Sequence, residues 1–129
     1  MLLSGGWLRR NEISHSGKQS LLLDGVNNIY GLTYMLDVIP GKSYYVSVWS
    51  YSLKGNGFIV VNDTTGKIFR RDDKEISLKS NNGWGLLEIA FTIPKDFPFN
   101  KVGVYVWNPS GHPVYFDDFK VMKSSFDKN

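Results

Sequence analysis

With 129 residues, 42% hydrophobic and 21% charged, the chain suits one domain with a proper core and is unlike a disordered sequence. A formal charge of +3, with basic and acidic residues interspersed, disfavours nucleic-acid binding, and the lack of cysteine excludes disulfides, zinc–thiolate sites and cysteine nucleophiles. Aromatic residues reach 15%, with four tryptophans, which is more than a core of this size needs and favours a binding role.

The N-terminal segment does not have the form of a signal peptide. Its apolar run is too short, and its charges follow that run instead of preceding it. No stretch approaches the roughly 20 apolar residues of a membrane-spanning helix, which argues against membrane insertion. We therefore interpret residues 1–129 as one module of a longer protein at the cell surface or outside the cell, with other domains of that protein as partners. Residues 123–129 are predicted to form a frayed tail.

Short β-like runs separated by turn residues follow one another along the chain, and no segment sustains a helical period. This pattern predicts an all-β fold, a two-sheet antiparallel β-sandwich of the jelly-roll type. "NDTTG" at 62–66 predicts a hairpin loop with Gly66 at positive φ, and "FRRDDKE" at 69–75 predicts a solvated loop. The predicted strands span 19–24, 29–38, 44–53, 57–62, 66–71, 86–93, 101–108 and 113–122.

Side-chain alternation assigns the faces of these strands. Along 29–38, an almost unbroken apolar set running from Tyr30 to Val38 is predicted to face the core. Two other strands pair an ordinary core face with an opposite face too aromatic for solvent alone. In 101–108 that unusual face carries Tyr105 and Trp107. In "SYYVSVWSYS" at 43–52 it carries Tyr45, Ser47, Trp49 and Tyr51.

Three segments together resemble the jelly-roll carbohydrate-binding modules of the galactose-binding-domain-like group, which are attached to bacterial glycoside hydrolases and surface proteins. They are "SHSGKQSLLLD" at 14–24, "IPGKSYYVSVW" at 39–49 and "VYVWNPSGHPVYFDDFKV" at 104–121. They match the family's "sGk.sl", "pGk.Y.vs.w" and "y.DD..v" patterns in order and spacing, over roughly residues 14–122. The family's first strand, with its Gly-Phe-Glu-like element, has no clear counterpart here.

The resemblance implies non-catalytic binding of an oligo- or polysaccharide on a concave sheet face. Pyranose rings pack their C–H bonds on aromatic rings, while sugar hydroxyls need hydrogen-bonding side chains in the same cleft. The stacking candidates are Tyr45, Trp49, Tyr51, Tyr105 and Trp107, and the polar candidates are Ser47, Asn62 and Arg70.

The resemblance also implies a structural calcium ion near the chain ends. Calcium takes about six to eight oxygen ligands. Transferred by position, the candidate ligands are backbone oxygens from Ser16 to Lys18 and the side chain of Asp117 or Asp118, with Glu12 in place of the family's missing glutamate. The alternative is that the two aspartates only end a strand or pair with a lysine.

Two hypotheses of function remain open. In the first the chain is a glycan-binding module. In the second the same sandwich is a structural spacer or a protein-interaction domain, with the aromatic residues buried by packing. An enzyme is not expected, because no pair of carboxylates and no nucleophile–histidine arrangement has a spacing that suggests catalysis.

Overall fold

Ten antiparallel strands make the two sheets of a β-sandwich in the computed structural model, which describes residues 9–10, 20–80 and 82–123. No helix in this part of the chain is long and apolar enough to cross a membrane. The strands are β1 (Arg9–Arg10), β2 (Ser20–Leu23), β3 (Tyr30–Asp37), β4 (Ser43–Tyr51), β5 (Phe58–Asn62), β6 (Arg70–Asp73), β7 (Leu78–Lys79), β8 (Gly85–Thr92), β9 (Lys101–Trp107) and β10 (Val114–Lys123).

The strands divide between a larger and a smaller sheet. The larger sheet has the order β1-β2-β10-β4-β8-β7, and the smaller one has the order β3-β9-β5-β6. All described pairings are antiparallel. The architecture confirms the predicted two-sheet sandwich, and seven of the eight predicted strands begin and end within two residues of the observed ones.

The core lies between the sheets and is built by alternation along the central strands. Side chains of alternate residues point to one face, so every second residue is buried. Each fully buried aliphatic side chain contributes about 1.5–3 kcal/mol relative to exposure. The buried inner-face residues of these three strands are Tyr44, Val46 and Val48 of β4, Leu87, Ile89 and Phe91 of β8, and Val102, Val104 and Val106 of β9.

A bulge in β3 overturns the predicted orientation of Tyr30. Gly31 pairs with Val106 and Tyr34 with Val104, so two residues of β3 oppose Tyr105. One of them, Leu32, takes a φ of 56° and still reaches the core. The extra residue shifts the alternation, and Tyr30 therefore lies on the outer face with 54% of its surface exposed.

The fifth predicted strand, 66–71, is displaced toward the C-terminus. Asp63 organises the preceding turn, because its carboxylate accepts backbone N–H bonds from Thr65, Ile68 and Phe69. Gly66 has the predicted positive φ of 70°. Strand β6 consequently starts only at Arg70, and the mixed-charge stretch that was predicted to be a loop supplies an edge strand instead.

Strand β10 has its own bulge next to the aspartate pair. Asp117 pairs with Trp49 and Lys120 with Ser47, so Asp118 and the residue after it share one partner position. Asp118 has a φ of 55°, and its backbone N–H bonds the Asp117 carboxylate at 2.8 Å. Lys123, which was predicted to begin the tail, is the last residue of this strand, and 124–129 lie outside the described residues.

Candidate functional site

The two aromatic sets predicted to share one cleft lie on opposite outer faces of the sandwich. Strand β4 belongs to the larger sheet and β9 to the smaller one, and the valines of both point into the core between them. Alternation alone gives the orientation of a side chain within its strand but does not say which sheet the strand joins. The single platform predicted from Tyr45, Trp49, Tyr51, Tyr105 and Trp107 is therefore wrong.

We call the outer surface of β10, β4 and β8 the six-strand face. The register places its side chains in rows that run across the three strands. Tyr51 occupies the middle of an aromatic row. Its ring centroid is 5.7 Å from that of Trp84 and 6.4 Å from that of Tyr115. Trp84 is only 2% exposed and anchors one end of the row, whereas Tyr51 and Tyr115 are half-buried.

A pocket of about 320 Å³ opens beside this aromatic row. Tyr51 and Tyr115 form its aromatic side, and the loop residues 52–54 and 112–113 form the rest of its wall. Leu53 stands at this wall with 88% of its surface exposed. The volume lies at the lower end of the range for small-molecule sites, and it suits one sugar ring better than an extended chain.

The neighbouring rows add a tryptophan and polar groups to the six-strand face. Trp49, half-buried, stands between Asp117 of β10 and Leu86 of β8. In the next row Ser47 stands between Lys120 and Glu88. Ser47 is only 4% exposed, so it supports its neighbours and does not present its hydroxyl to a ligand directly.

Tyr45 and Glu88 form a hydrogen-bonded pair farther along the same face. Burial raises the pKa of the Tyr45 phenol above its ordinary value, and the hydrogen bond it donates to Glu88 raises that pKa further. Hydrogen bonds from the hydroxyls of Ser77 and Tyr45 lower the pKa of Glu88. The carboxylate is therefore held ionised as a hydrogen-bond acceptor.

We call the outer surface of β3, β9, β5 and β6 the four-strand face. Trp107 lies between its two cross-strand partners there. The Tyr30 ring is nearly parallel to it, with centroids 6.2 Å apart and planes inclined by 7°, and the Phe58 ring lies 4.8 Å away at 41°. Trp107 is thus packed between two other rings, and Tyr30 is the most exposed of the three.

The two polar residues predicted from the sequence, Asn62 and Arg70, both lie on the four-strand face. The Asn62 amide donates to the Tyr105 hydroxyl at 3.0 Å. Arg70 pairs with Asp72 at 2.9 Å, contacts the Tyr105 hydroxyl, and lies over the Trp107 ring at 5.8 Å from its centroid. The structure therefore brings Asn62, Arg70, Tyr105 and Trp107 together, and separates them from Tyr45, Ser47, Trp49 and Tyr51.

A groove of about 300 Å³ crosses the four-strand face beside this cluster. Gly103 forms its floor, where the register places it between Met35 and Asn62. The lining combines an aromatic ring and a thioether with hydroxyl and amide groups, namely Tyr105, Met35, Thr33, Thr64, Thr65 and Asn62.

The carboxyl group of Asp63, at the end of this groove, should make the free energy of unfolding fall in acid. Burial opposes its ionisation, but the Thr65 hydroxyl and the N–H groups of Phe69, Thr65 and Ile68 outweigh burial and lower its pKa to about 2. Because this pKa is below the ordinary 3.8, the ionised carboxylate of Asp63 stabilises the folded state. This contribution is complete above about pH 4 and is lost as the pH falls through about 2.

We expect Asp63→Asn to unfold at lower urea concentration than the parent chain at pH 6, and the gap between them to narrow steadily from pH 4 to pH 2. Urea unfolding monitored by tryptophan fluorescence at four pH values measures this difference between the variant and the parent chain. The difference between the two chains isolates Asp63, because every other carboxylate titrates in both. A gap that stays constant down to pH 2 would refute the assignment.

Calcium stays a prediction. Asp117 and Asp118 supply two carboxylates of the roughly six to eight oxygens that the ion needs. Asp117 lies on the six-strand face opposite Trp49, and Asp118 sits in the β10 bulge. Among the described residues no three histidine or acidic side chains converge on one point. The other proposed ligands, Glu12, Ser16 and Lys18, lie outside the described residues.

Several residues on the two faces were not identified from the sequence. Tyr115 could have been found, because alternation along the last strand puts it on the same face as Asp117. Glu88 could have been found in the same way from β8. Tyr30 could not, because nothing in "IYGLTYMLDV" indicates the bulge that turns it outward. Nor does the sequence indicate that Gly103 is the floor of a groove.

No protein-family model matches the sequence, and no curated protein matches it either. Comparison with solved structures does find matches. One is described as a family 16 carbohydrate-binding module, with a TM-score of 0.63 and 15% identity over 88% of this chain and 83% of that one. Another is the C-terminal family 22 carbohydrate-binding module of Clostridium thermocellum Xyn10B, with a TM-score of 0.64 and 21% identity over 92% and 81% of the chains.

The same comparison finds a protein of a different kind, a cyclase from Fischerella sp. TAU, with a TM-score of 0.62 and 14% identity over 95% of this chain and 72% of that one. The TM-scores establish the architecture, and sequence identities this low leave the ligand undetermined. The chain therefore has the jelly-roll fold that carbohydrate-binding modules of families 16 and 22 share with this cyclase.

Proposed function

We propose that the chain is a non-catalytic module that binds a neutral glycan on its six-strand face. The observation that carries the proposal is the central position of half-buried Trp49 and Tyr51 on that face, in adjacent rows that also hold Asp117 and Tyr115, with Glu88 in the next row. Aromatic rings there can stack on sugar C–H bonds, and the carboxylates can accept hydrogen bonds from sugar hydroxyls.

The chemistry of Glu88 favours binding over hydrolysis. A glycosidase needs one carboxyl group with a raised pKa that can act as a general acid. Here the hydroxyls of Ser77 and Tyr45 lower the pKa of Glu88, so it holds no proton to donate at neutral pH. The solved structures described as a family 22 module in ligand binding and as a xylan-binding domain have the same fold, which makes xylan a reasonable first probe.

A single module of this kind binds weakly, because a few stacking contacts of about 0.5–1.5 kcal/mol each must offset the freedom that the ligand loses. Attachment to a longer secreted or cell-surface protein would raise the effective affinity without adding contacts.

Calorimetric titration of the chain with soluble xylan, mixed-linkage glucan, mannan and galactan tests the proposal. We expect saturable binding to at least one of them. We expect Trp49→Ala to weaken that binding about tenfold and Tyr51→Ala about three- to tenfold, since each removes one stacking ring. Phe99→Ala is the matched control, because Phe99 is a partly exposed aromatic residue of a loop outside both faces.

Two results would count against the proposal. If every variant binds as the parent chain does, the glycan does not contact the six-strand face. If the parent chain binds none of the four polysaccharides, the alternative of a structural spacer or protein-interaction domain replaces glycan binding. In that case packing, and not a ligand, would explain the position of Trp49, and its fluorescence should resist quenching by acrylamide.

A further inference from the structure

We propose that Asn56 is a site of spontaneous deamidation and that its iso-aspartyl product displaces the loop 52–57 between β4 and β5. The inference goes beyond the proposed function and does not depend on it, because it concerns a reaction of the chain with water. It rests on how the structure distinguishes two Asn-Gly dipeptides, Asn56-Gly57 and Asn82-Gly83, which the sequence presents as equivalent.

Deamidation of such a dipeptide requires two groups to meet. The backbone nitrogen of the glycine attacks the side-chain carbonyl carbon of the asparagine. A C–N bond forms and closes a succinimide ring, while the side-chain nitrogen leaves with the glycine amide proton as ammonia. One water molecule then reopens the ring to aspartate or to iso-aspartate, in which the main chain runs through the side-chain carbon. Glycine favours the attack because it has no Cβ to hinder it.

At Asn82-Gly83 both reacting groups are held in one turn. The Asn82 side-chain oxygen accepts a hydrogen bond from the Ser80 hydroxyl, and the Gly83 N–H donates to the Ser80 carbonyl oxygen at 3.3 Å. The Ser80 N–H donates to the carbonyl oxygen of buried Trp84, which anchors the turn to the sandwich. Moving the Asn82 side chain onto the Gly83 nitrogen would therefore break hydrogen bonds at both reacting groups.

At Asn56-Gly57 the same two groups are available. Asn56 is exposed, and within the described part of the chain neither its side-chain amide nor the Gly57 N–H makes a hydrogen bond. The loop is fixed one residue earlier, where the Gly55 N–H donates to the Ser52 hydroxyl at 2.7 Å. Asn56 also borders a crevice of about 140 Å³, which gives its side chain room to rotate and gives water access to the ring.

A related dipeptide, Asp24-Gly25, could form the same ring but is protected. Backbone N–H groups, that of Asn28 foremost, lower the pKa of the Asp24 carboxyl, and an ionised carboxylate is a poor target for a nucleophile. The Gly25 N–H donates to the Asn28 carbonyl oxygen at 3.1 Å, so the attacking nitrogen is engaged as well. The structure therefore singles out Asn56 among these three dipeptides.

The residues on either side of Asn56 leave no room for a longer main chain. An added Cβ at Gly55 would lie 2.7 Å from the Ser110 hydroxyl oxygen, and one at Gly57 would lie 2.5 Å from Phe116 Cζ. Iso-aspartate inserts one carbon atom into the main chain between these two contacts, so the loop has to shift. The first residues of the loop, which form part of the pocket wall beside the aromatic row, would move with it.

Incubation of the folded chain at mildly alkaline pH, followed by peptide mass mapping, tests the site. We expect Asn56 to lose its amide about tenfold faster than Asn82, because only Asn82 needs a local opening of hydrogen bonds before it can react. In urea, where both turns are unfolded, the two rates should become similar. Asn56→Gln is the matched control, since it keeps an exposed amide but would have to close a larger ring, and deamidation of this loop should stop.

Urea unfolding of the deamidated chain tests the displacement of the loop. The iso-aspartyl form, separated by ion exchange and identified by labelling with an isoaspartyl methyltransferase, should unfold at a lower urea concentration than the parent chain. Asn56→Asp is the control, because it adds the same charge without the extra main-chain carbon, and it should unfold together with the parent chain.

Equal deamidation of Asn56 and Asn82 in the folded chain, or none at Asn56, would overturn the site. An iso-aspartyl chain that is as stable as the parent chain would overturn the displacement of the loop. Neither measurement involves a glycan, so failure of this inference and failure of the proposed glycan binding are distinguishable.

Discussion

Replacing Asn108 with alanine should lower the free energy of unfolding by about 3 kcal/mol, although this residue lies on neither outer face. Asn108 is fully buried, and its amide N–H₂ donates to the carbonyl oxygens of Leu23 and His112 at 2.9 and 2.7 Å. Its carbonyl oxygen accepts from the backbone N–H and the hydroxyl of Ser110. Alanine would remove the donor to the buried Leu23 carbonyl and leave the His112 carbonyl with only the Ser110 hydroxyl, and each group left unsatisfied costs about 1–3 kcal/mol.

The loss should also reach the proposed glycan site, because the loop that Asn108 holds contributes His112 and Pro113 to the pocket wall. Urea unfolding measures the stability, and Asn27→Ala is the matched control at an exposed asparagine, where a change within about 0.5 kcal/mol is expected. If Asn108→Ala unfolds within 1 kcal/mol of the parent chain, the hydrogen bonds that Asn108 makes do not hold this end of the sandwich together.

The sequence predicts most strands well because each depends on local information. Alternation of apolar and polar residues over five to ten positions is enough to identify β4, β8 and β9 and to orient their core faces. The bulges in β3 and β10 are not predictable in this way, since each inserts one residue without changing the composition of the strand. The displaced start of β6 arises from several hydrogen bonds to one side chain, Asp63, which no residue pattern reveals.

The candidate site was only half predictable for a related reason. Trp49 and Trp107 were each placed correctly on the non-core side of their own strands. Whether they share a surface depends on which strands pair, and pairing joins residues far apart in the chain, such as Trp49 with Asp117 and Trp107 with Tyr30. Alternation contains no information about these partners, so the sequence predicts one binding face from residues that lie on two.

The four-strand face shows why an aromatic residue on an outer face is not by itself a binding platform. Val60 is fully buried, although its neighbours in β5, Ile59 and Val61, are the ones that face the core. Its cross-strand partners are Tyr105 and Asp72, and Trp107 packs against two other rings. Part of this aromatic set therefore covers the sheet, and the groove over Gly103 is the part of the face that remains open.

Replacing Phe116 with alanine should have the largest effect on stability, a loss of about 3–5 kcal/mol. Phe116 is on the inner face of β10 and is almost fully buried. Its ring also packs directly against Gly57, where an added Cβ would lie 2.5 Å from the ring Cζ and 2.8 Å from Cε1. Gly57→Ala should therefore cost about 1–3 kcal/mol through overpacking, even though the new group is apolar.

Because both changes act on one contact, their effects should not add. Once Phe116 is alanine, the ring atoms that exclude the Gly57 methyl group are gone, and the new Cβ occupies part of the vacated space. We expect the double variant to be at least about 1 kcal/mol more stable than the sum of the two losses predicts, as measured by urea unfolding of all four chains. Additive losses would mean that Val114, which lies 3.2 Å from the same Cβ position, and not the ring, limits residue 57 to glycine. The loop that ends at Gly57 would then be positioned independently of Phe116.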